Sequence, residues 1–205
     1  FGVGMEPSPG YTARLAADLN QRLTFLRAKF ETGAYVRPDG SAMPPDQLAR
    51  LTPALDAAAF TSLPAPEVRV ALDLIPIHCA PQAEPFYTPS RDLAFDRNLC
   101  SMARAQEPVQ ILRPWDGGLA LARTTYVMGW IALERAAPSP PLDAATARRF
   151  LAGPFARAGR DFELVPEQGP PVHVPFASLL PAAPRRGHVL AAAAGGVVTA
   201  RAPDP

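Results

Sequence analysis

Cysteine and histidine are scarce in this chain, with two of the first and three of the second among 205 residues. Two thiols cannot build a disulfide framework. Cys79, Cys100, His78, His173 and His188 show no C-x-x-C or H-x-x-x-H spacing, so they are a poor set for a zinc centre, which needs four ordered ligands. No stretch reaches the roughly 18 consecutive apolar residues of a membrane span, and Ala191–Ala194 is too short and too weakly apolar to count as one. The formal charge is only +1, so bulk attraction to nucleic acid or to an anionic membrane has no source. A Gly-rich phosphate loop, a G-x-S-x-G elbow and a kinase signature are all missing. No cofactor and no metal are expected.

Proline is plentiful, with 26 residues against a usual share of about 5%. That predicts many loops, short elements and few long helices. Hydrophobic residues make up 48% of the chain, enough for a core and an argument against disorder. The length suits one large or two small domains. The first residue is Phe1 rather than Met, which fits a processed N-terminus.

The first ten residues are rich in Gly and Pro and read as loose. From Tyr11 the pattern turns helical. Tyr11, Leu15, Leu19, Leu23, Leu26 and Phe30 recur every three or four residues and share one face, and Gly33 is a stop signal. Pro38-Asp39-Gly40 is a turn. A short helix is expected from Pro45 to Leu51, with Leu48 and Leu51 inward. Another runs from Thr52-Pro53 through Ala54 to Phe60, and Leu63-Pro64-Ala65-Pro66 marks a boundary. Beyond it Val68, Val70, Leu72 and Leu74 alternate like a half-buried strand.

The most informative stretch runs from Glu107 to Ile131 and reads as three short strands. Asp116-Gly117 is a tight-hairpin signal. Val109 and Ile111 alternate before it, and Leu119 and Leu121 alternate after it. Tyr126-x-x-Gly129-Trp130-Ile131 is an aromatic strand whose glycine marks a bend or a close backbone approach. Such an order fits a small, strongly bent sheet of the SH3 type.

The pattern Glu107-Pro108-Val109, Asp116-Gly117, Tyr126, Gly129-Trp130-Ile131 resembles the bacterial SH3 domains that precede the catalytic domain of NlpC/P60 cell-wall peptidases. The likeness extends upstream through Asp73-Leu74-x-x-Ile77, Phe86-Tyr87, Phe95-Asp96-Arg97 and Leu99, and covers about a third of the chain. It implies an accessory module that packs on a catalytic domain and positions a peptidoglycan stem peptide, in the periplasm or outside the cell. The reaction of a full enzyme of that family would be γ-D-glutamyl to diamino acid hydrolysis. The resemblance makes Tyr126, Trp115 at the hairpin tip, Glu84 and Tyr87 candidate ligand contacts. Trp130 and Phe95 read instead as core.

A weaker internal repeat follows. Ala137-Pro138-Ser139-Pro140-Pro141 is a linker, and Asp143 caps a helix through Phe150 and Leu151 that Gly153 closes. Setting Gly195-Gly196 on Gly117-Gly118 aligns Val189-Leu190 with Ile111-Leu112 and Arg201 with Arg123. Val172, Val174 and Phe176 supply a preceding strand. This second unit has no counterpart of the Tyr126–Ile131 strand, so either the chain was cut before its natural end or another segment completes its sheet.

NlpC/P60 enzymes use a cysteine nucleophile at a helix N-terminus with a histidine on a neighbouring sheet. Cys100-Ser101 lacks the family's preceding aspartate and falls inside the SH3-like match, so no catalytic residue is assigned. Two separate thiols, small and apolar, are favoured over a bond between Cys79 and Cys100 across the long loop. The expectation is an α+β chain: a helical segment over 1–66, an SH3-like barrel over 67–136, and a linker helix with a second SH3-like unit over 137–205. The alternative to a peptidase accessory module is an envelope protein that binds other proteins. A weaker third reading is an enzyme using Cys100 or Cys79.

Overall fold

The computed structural model describes residues 9–51, 67–136 and 138–202. It is a mixed α+β chain. Helix α1 (Pro9–Glu31) lies against a six-stranded antiparallel sheet made of β1 (Glu67–Val70), β2 (Ile75–His78), β3 (Leu99–Ala103), β4 (Pro108–Trp115), β5 (Leu119–Arg123) and β6 (Met128–Ala132). The spatial order is β1-β4-β5-β6-β2-β3, and no ladder joins β1 to β3 among the described residues. The expected antiparallel sheet is present; its ladder does not close into the expected barrel among the described residues. The two edges still meet at the turn after β3, where Gln106 N–H donates to the Ala71 carbonyl and Ala71 N–H donates to the Glu107 carbonyl.

Periodicity placed α1 well. Leu19, Leu23, Leu26 and Phe30 are buried against Leu112, Leu121, Met128 and Trp130. Each such side chain contributes roughly 2 kcal/mol by leaving water. Arg22 extends from the same helix and donates to the Met128 carbonyl at 2.6 Å; its partial burial lowers its pKa. Helix α2 (Pro45–Ala49) is shorter than expected, although Leu51 is buried. The helix expected over 54–60 and the boundary at 63–66 lie outside the described residues.

The second face of the sheet holds Ile75, Ile77, Val109, Ile111, Ala120 and Ile131. All three strands around Asp116-Gly117 form, with Trp115 opposite Leu119 and Ala122 opposite Gly129. Gly129 permits the predicted close approach. A Cβ there would overlap the His78 carbonyl oxygen and come within 2.9 Å of the Ile77 methyl, because β2 crosses β6 at His78 and Trp130. β1 ends at Val70, sooner than the alternation to Leu74 implied, since Ala71 turns inward to the Gln106–Glu107 turn.

Three expectations are corrected. Cys79 and Cys100 form a disulfide. Antiparallel pairing of His78 with Leu99 sets their Cα atoms 5.1 Å apart, within bonding range, and that pairing joins two segments too far apart in sequence for local pattern to reveal. Phe95 is 61% exposed, with the Arg97 guanidinium over its ring. The loop is held from inside by Asn98, which accepts from Ala80 N–H and donates to the Gln82 and Glu84 carbonyls, so the neighbouring ring is left outward. Phe176, expected on a strand face with Val172 and Val174, lies beyond the strand end and is exposed.

A short helix, α3 (Leu133–Ala136), leaves β6. The proline-rich passage after it does not hang free. Ser139 N–H donates to Val70, Val70 N–H donates to the Ser139 hydroxyl, and Leu142 N–H donates to Val68, so residues 139–142 cover the outer edge of β1. Asp143 caps helix α4 (Ala144–Ala152) as read, accepting from Ala145 and Thr146 N–H at 2.9 and 3.0 Å.

The remainder consists of β7 (Phe155–Arg157), β8 (Phe162–Leu164), β9 (Val172–Val174), β10 (Leu179–Pro181), β11 (His188–Ala193) and β12 (Gly196–Arg201). β11 and β12 form the expected hairpin, with Ala193 opposite Gly196. The far side of β12 is partly covered by another segment: Pro166 bridges Ala200, and Glu167 N–H donates to the Thr199 carbonyl. A cluster of Val70, Phe150, Leu190 and Ala192 joins this half to the first sheet.

Candidate functional site

Where the two halves meet, they leave a groove of about 610 Å³. Its first wall is built by the end of β3 and the turn after it. Glu107 N–H donates to the Arg104 carbonyl, while the Glu107 carboxylate accepts from Arg104 N–H at 3.0 Å, so the turn is closed twice. Gln106, at φ 70°, sends its side chain across to the second half, where it pairs with the main chain of Ala192. This bond is fully buried and fixes the groove's floor.

The second wall begins at the end of α4. Gly153 has φ +69°, and a Cβ there would lie 2.6 Å from the Phe155 ring; glycine alone lets the chain reverse and set that ring on the groove. β7 then pairs with β10, Arg157 opposite Leu179. The Ser178 hydroxyl donates to the Ala105 carbonyl at 3.4 Å, tying this wall to the first.

Leu74, Tyr126, Phe155 and Leu179 line the groove while 40–57% exposed. Large apolar side chains left open to water in one concave surface mark a contact site. Tyr126 stands in the turn between β5 and β6. Its hydroxyl is 2.9 Å from both the Met102 carbonyl and the Glu107 carboxylate, and one proton serves the two acceptors. Pro76 pairs with Met102 in the β2–β3 register and has no N–H, so this is a non-hydrogen-bonded pair. Its Met102 carbonyl points away from β2, toward the open edge of the sheet, where the phenol satisfies it. Burial and the Glu107 carboxylate push the Tyr126 pKa up to about 12, so the phenol stays neutral and keeps its donor.

The other three residues expected at a site do not line this groove. Trp115 is at the opposite end of the β4–β5–β6 hairpins, its ring edge-on to Trp130 at 5.5 Å and covered by the Arg113 guanidinium. Tyr87 is buried and pairs its main chain with Val36. Glu84 is exposed, 4.0 Å from Arg37, and its carbonyl is held by Asn98. Arg104, Phe155 and Leu179 were not singled out from sequence, and Glu107 was read only as part of the family pattern, not as a site residue. Phe155 after Gly153-Pro154 was a usable signal, because an aromatic at a forced turn points somewhere definite; Arg104 and Leu179 carried none.

Both sulfurs are in one bond, so neither Cys79 nor Cys100 is a thiolate. His173 faces Glu163 on the β8–β9 pair, and His188 lies near Glu167. Among the described residues, no group of three or more His, Cys, Asp or Glu could hold a metal, and no helix is long and apolar enough to cross a membrane.

Protein-family profiles give no match to the chain, and no curated protein matches it in sequence. Among solved structures, the fold is similar to a chain of an NlpC/P60 endopeptidase from Photobacterium damselae subsp. piscicida, with a TM-score of 0.59 at 12% identity. The alignment covers 92% of this chain and 42% of that one. This chain therefore spans less than half the length of its structural neighbour, and the likeness is one of fold.

Proposed function

We propose that this chain is a non-catalytic module of a peptidoglycan peptidase of NlpC/P60 type, which binds or positions a cell-wall stem peptide and packs on a catalytic domain. The observation that carries the reading is the fold similarity over nearly the whole chain to part of an NlpC/P60 endopeptidase, together with a sequence pattern of the SH3 type in the same family. The sheet from β1 to β6 is then an SH3-like unit, and β7 to β12 a second. The disulfide supports an oxidising compartment such as the periplasm or cell exterior, and it holds as a pair the only cysteines of the chain. The groove at Tyr126 supplies a flat aromatic face and polar groups suited to a peptide.

Titration of the chain with purified muropeptides, followed by amide chemical shifts, tests this. Binding that moves the signals of the Tyr126 turn supports it, and Tyr126→Ala should weaken that binding at least fivefold. No shift at millimolar muropeptide would refute a role in binding the stem peptide. The apolar character of the groove also favours a second reading, an envelope protein that holds a segment of another protein. Under that reading muropeptides do not bind and the groove signals respond to a protein partner instead.

A further inference from the structure

The charges of the groove are unequal in their engagement. Among the described residues that line it, only Arg104 and Glu107 carry formal charge. One oxygen of the Glu107 carboxylate lies within hydrogen-bonding distance of both Arg104 N–H and the Tyr126 phenol. The Arg104 side chain is exposed and has no ion pair among the described residues. An unpaired guanidinium beside an apolar trough is complementary to a molecule with one anionic end and an apolar body.

The form of the trough narrows the choice. It runs along β3, the last strand of the sheet, and its walls carry apolar side chains at several positions rather than one deep pocket. The Met102 carbonyl on that strand is held by a phenol rather than by a ladder partner, so an incoming backbone N–H can take the phenol's place. An extended backbone offers such a donor, and its side chains can rest on Leu74, Phe155 and Leu179.

We propose that the groove takes a short extended peptide with a free C-terminal carboxylate, that Arg104 anchors that carboxylate, and that the Met102 carbonyl accepts a backbone N–H. This deepens the module reading above and rests on it: the site prefers peptides already trimmed to an acid over those that are amidated or continue as chain.

The test compares N-acetyl-Ala-Ala-Leu as the free acid with the same peptide as its C-terminal amide, each titrated into the full chain and read by calorimetry and amide shifts. The expected result is at least fivefold tighter binding of the acid, shifts at Met102 and Tyr126, and a preference that fades as salt is raised. Arg104→Gln should bring the two forms to equal affinity with an unchanged melting temperature, while Arg104→Lys should retain part of the preference. Equal affinity of acid and amide in the unsubstituted chain would overturn the proposal, as would a preference that survives Arg104→Gln. Failure of both peptides to bind would overturn it too. If muropeptides bind with the acid and amide indistinguishable, the carboxylate anchor fails and the module reading stands; if muropeptides also fail to bind, both fall.

Discussion

Gln106 and Ala192, 86 residues apart, are joined in both directions: the Gln106 side-chain amide donates to the Ala192 carbonyl at 3.0 Å, and its oxygen accepts from the Ala192 N–H at 2.7 Å. A side chain thus imitates the edge of a strand, and it does so where water is excluded. Removing it leaves two buried main-chain groups unpaired, each at a cost of about 1–3 kcal/mol. Gln106→Ala should therefore lower the unfolding free energy by about 3 kcal/mol in a denaturant titration. A loss below about 1 kcal/mol would show that water substitutes for the amide.

Gly129→Ala should be more damaging than its size suggests. The added methyl has the His78 main chain and the Ile77 side chain in its way, and backbone on a paired strand cannot step aside cheaply. A loss of about 3 kcal/mol is expected by thermal or chemical unfolding, with the β2–β6 amides exchanging faster. An unchanged melting temperature would mean the two strands separate more easily than their crossing indicates.

The Cys79–Cys100 bond closes a loop with a sequence separation of 21 residues. Chain entropy assigns such a link about 3 kcal/mol, so reduction, or Cys79→Ser with Cys100→Ser, should lower stability by about that amount. The loop should nevertheless keep its shape, because Asn98 holds it from inside. In the reduced chain the Ala80 amide should stay protected from exchange, whereas Asn98→Ala should expose it even with the disulfide intact.

Two groups set opposite ends of the pH range. His78 is buried and its pKa is depressed, chiefly by desolvation, with Asp96 opposing. The unfolded chain takes up this proton first, so stability is full above 6.5, the ordinary value of an imidazole, and falls as the pH drops below it. Tyr126 acts in the other direction. Its pKa is raised from 10.0 to about 12, so its contribution is full below pH 10 and is lost as the pH rises through that interval. Unfolding measured from pH 4 to 12 should show both declines. His78→Phe should flatten the acid one, and Tyr126→Phe should remove the component near pH 12 from the tyrosinate absorbance titration.

Elements with their cause in a few neighbouring residues were legible in the sequence. The apolar face of α1, the Asp116-Gly117 reversal, the crowding at Gly129 and the Asp143 cap each depend on spacing within a turn or two. What escaped was decided by segments meeting from afar. The disulfide depends on the β2–β3 register, and the exposure of Phe95 on Asn98 filling the inside of its loop. The groove depends on Tyr126 from one half facing Phe155 and Leu179 from the other. An exposed tyrosine after a hairpin could be named as a candidate; no pattern in the chain announces which residues come to stand opposite it.

The passage from Pro138 to Leu142 resembles a tether when read as letters, yet its bonds to Val68 and Val70 make it part of the sheet. Expressing either half alone by severing the chain there would uncover a hydrogen-bonding strand and split the cluster shared by Val70, Phe150 and Leu190. Fragments made at this apparent seam should self-associate or precipitate, and anyone dissecting the protein is better served by point changes than by scissors.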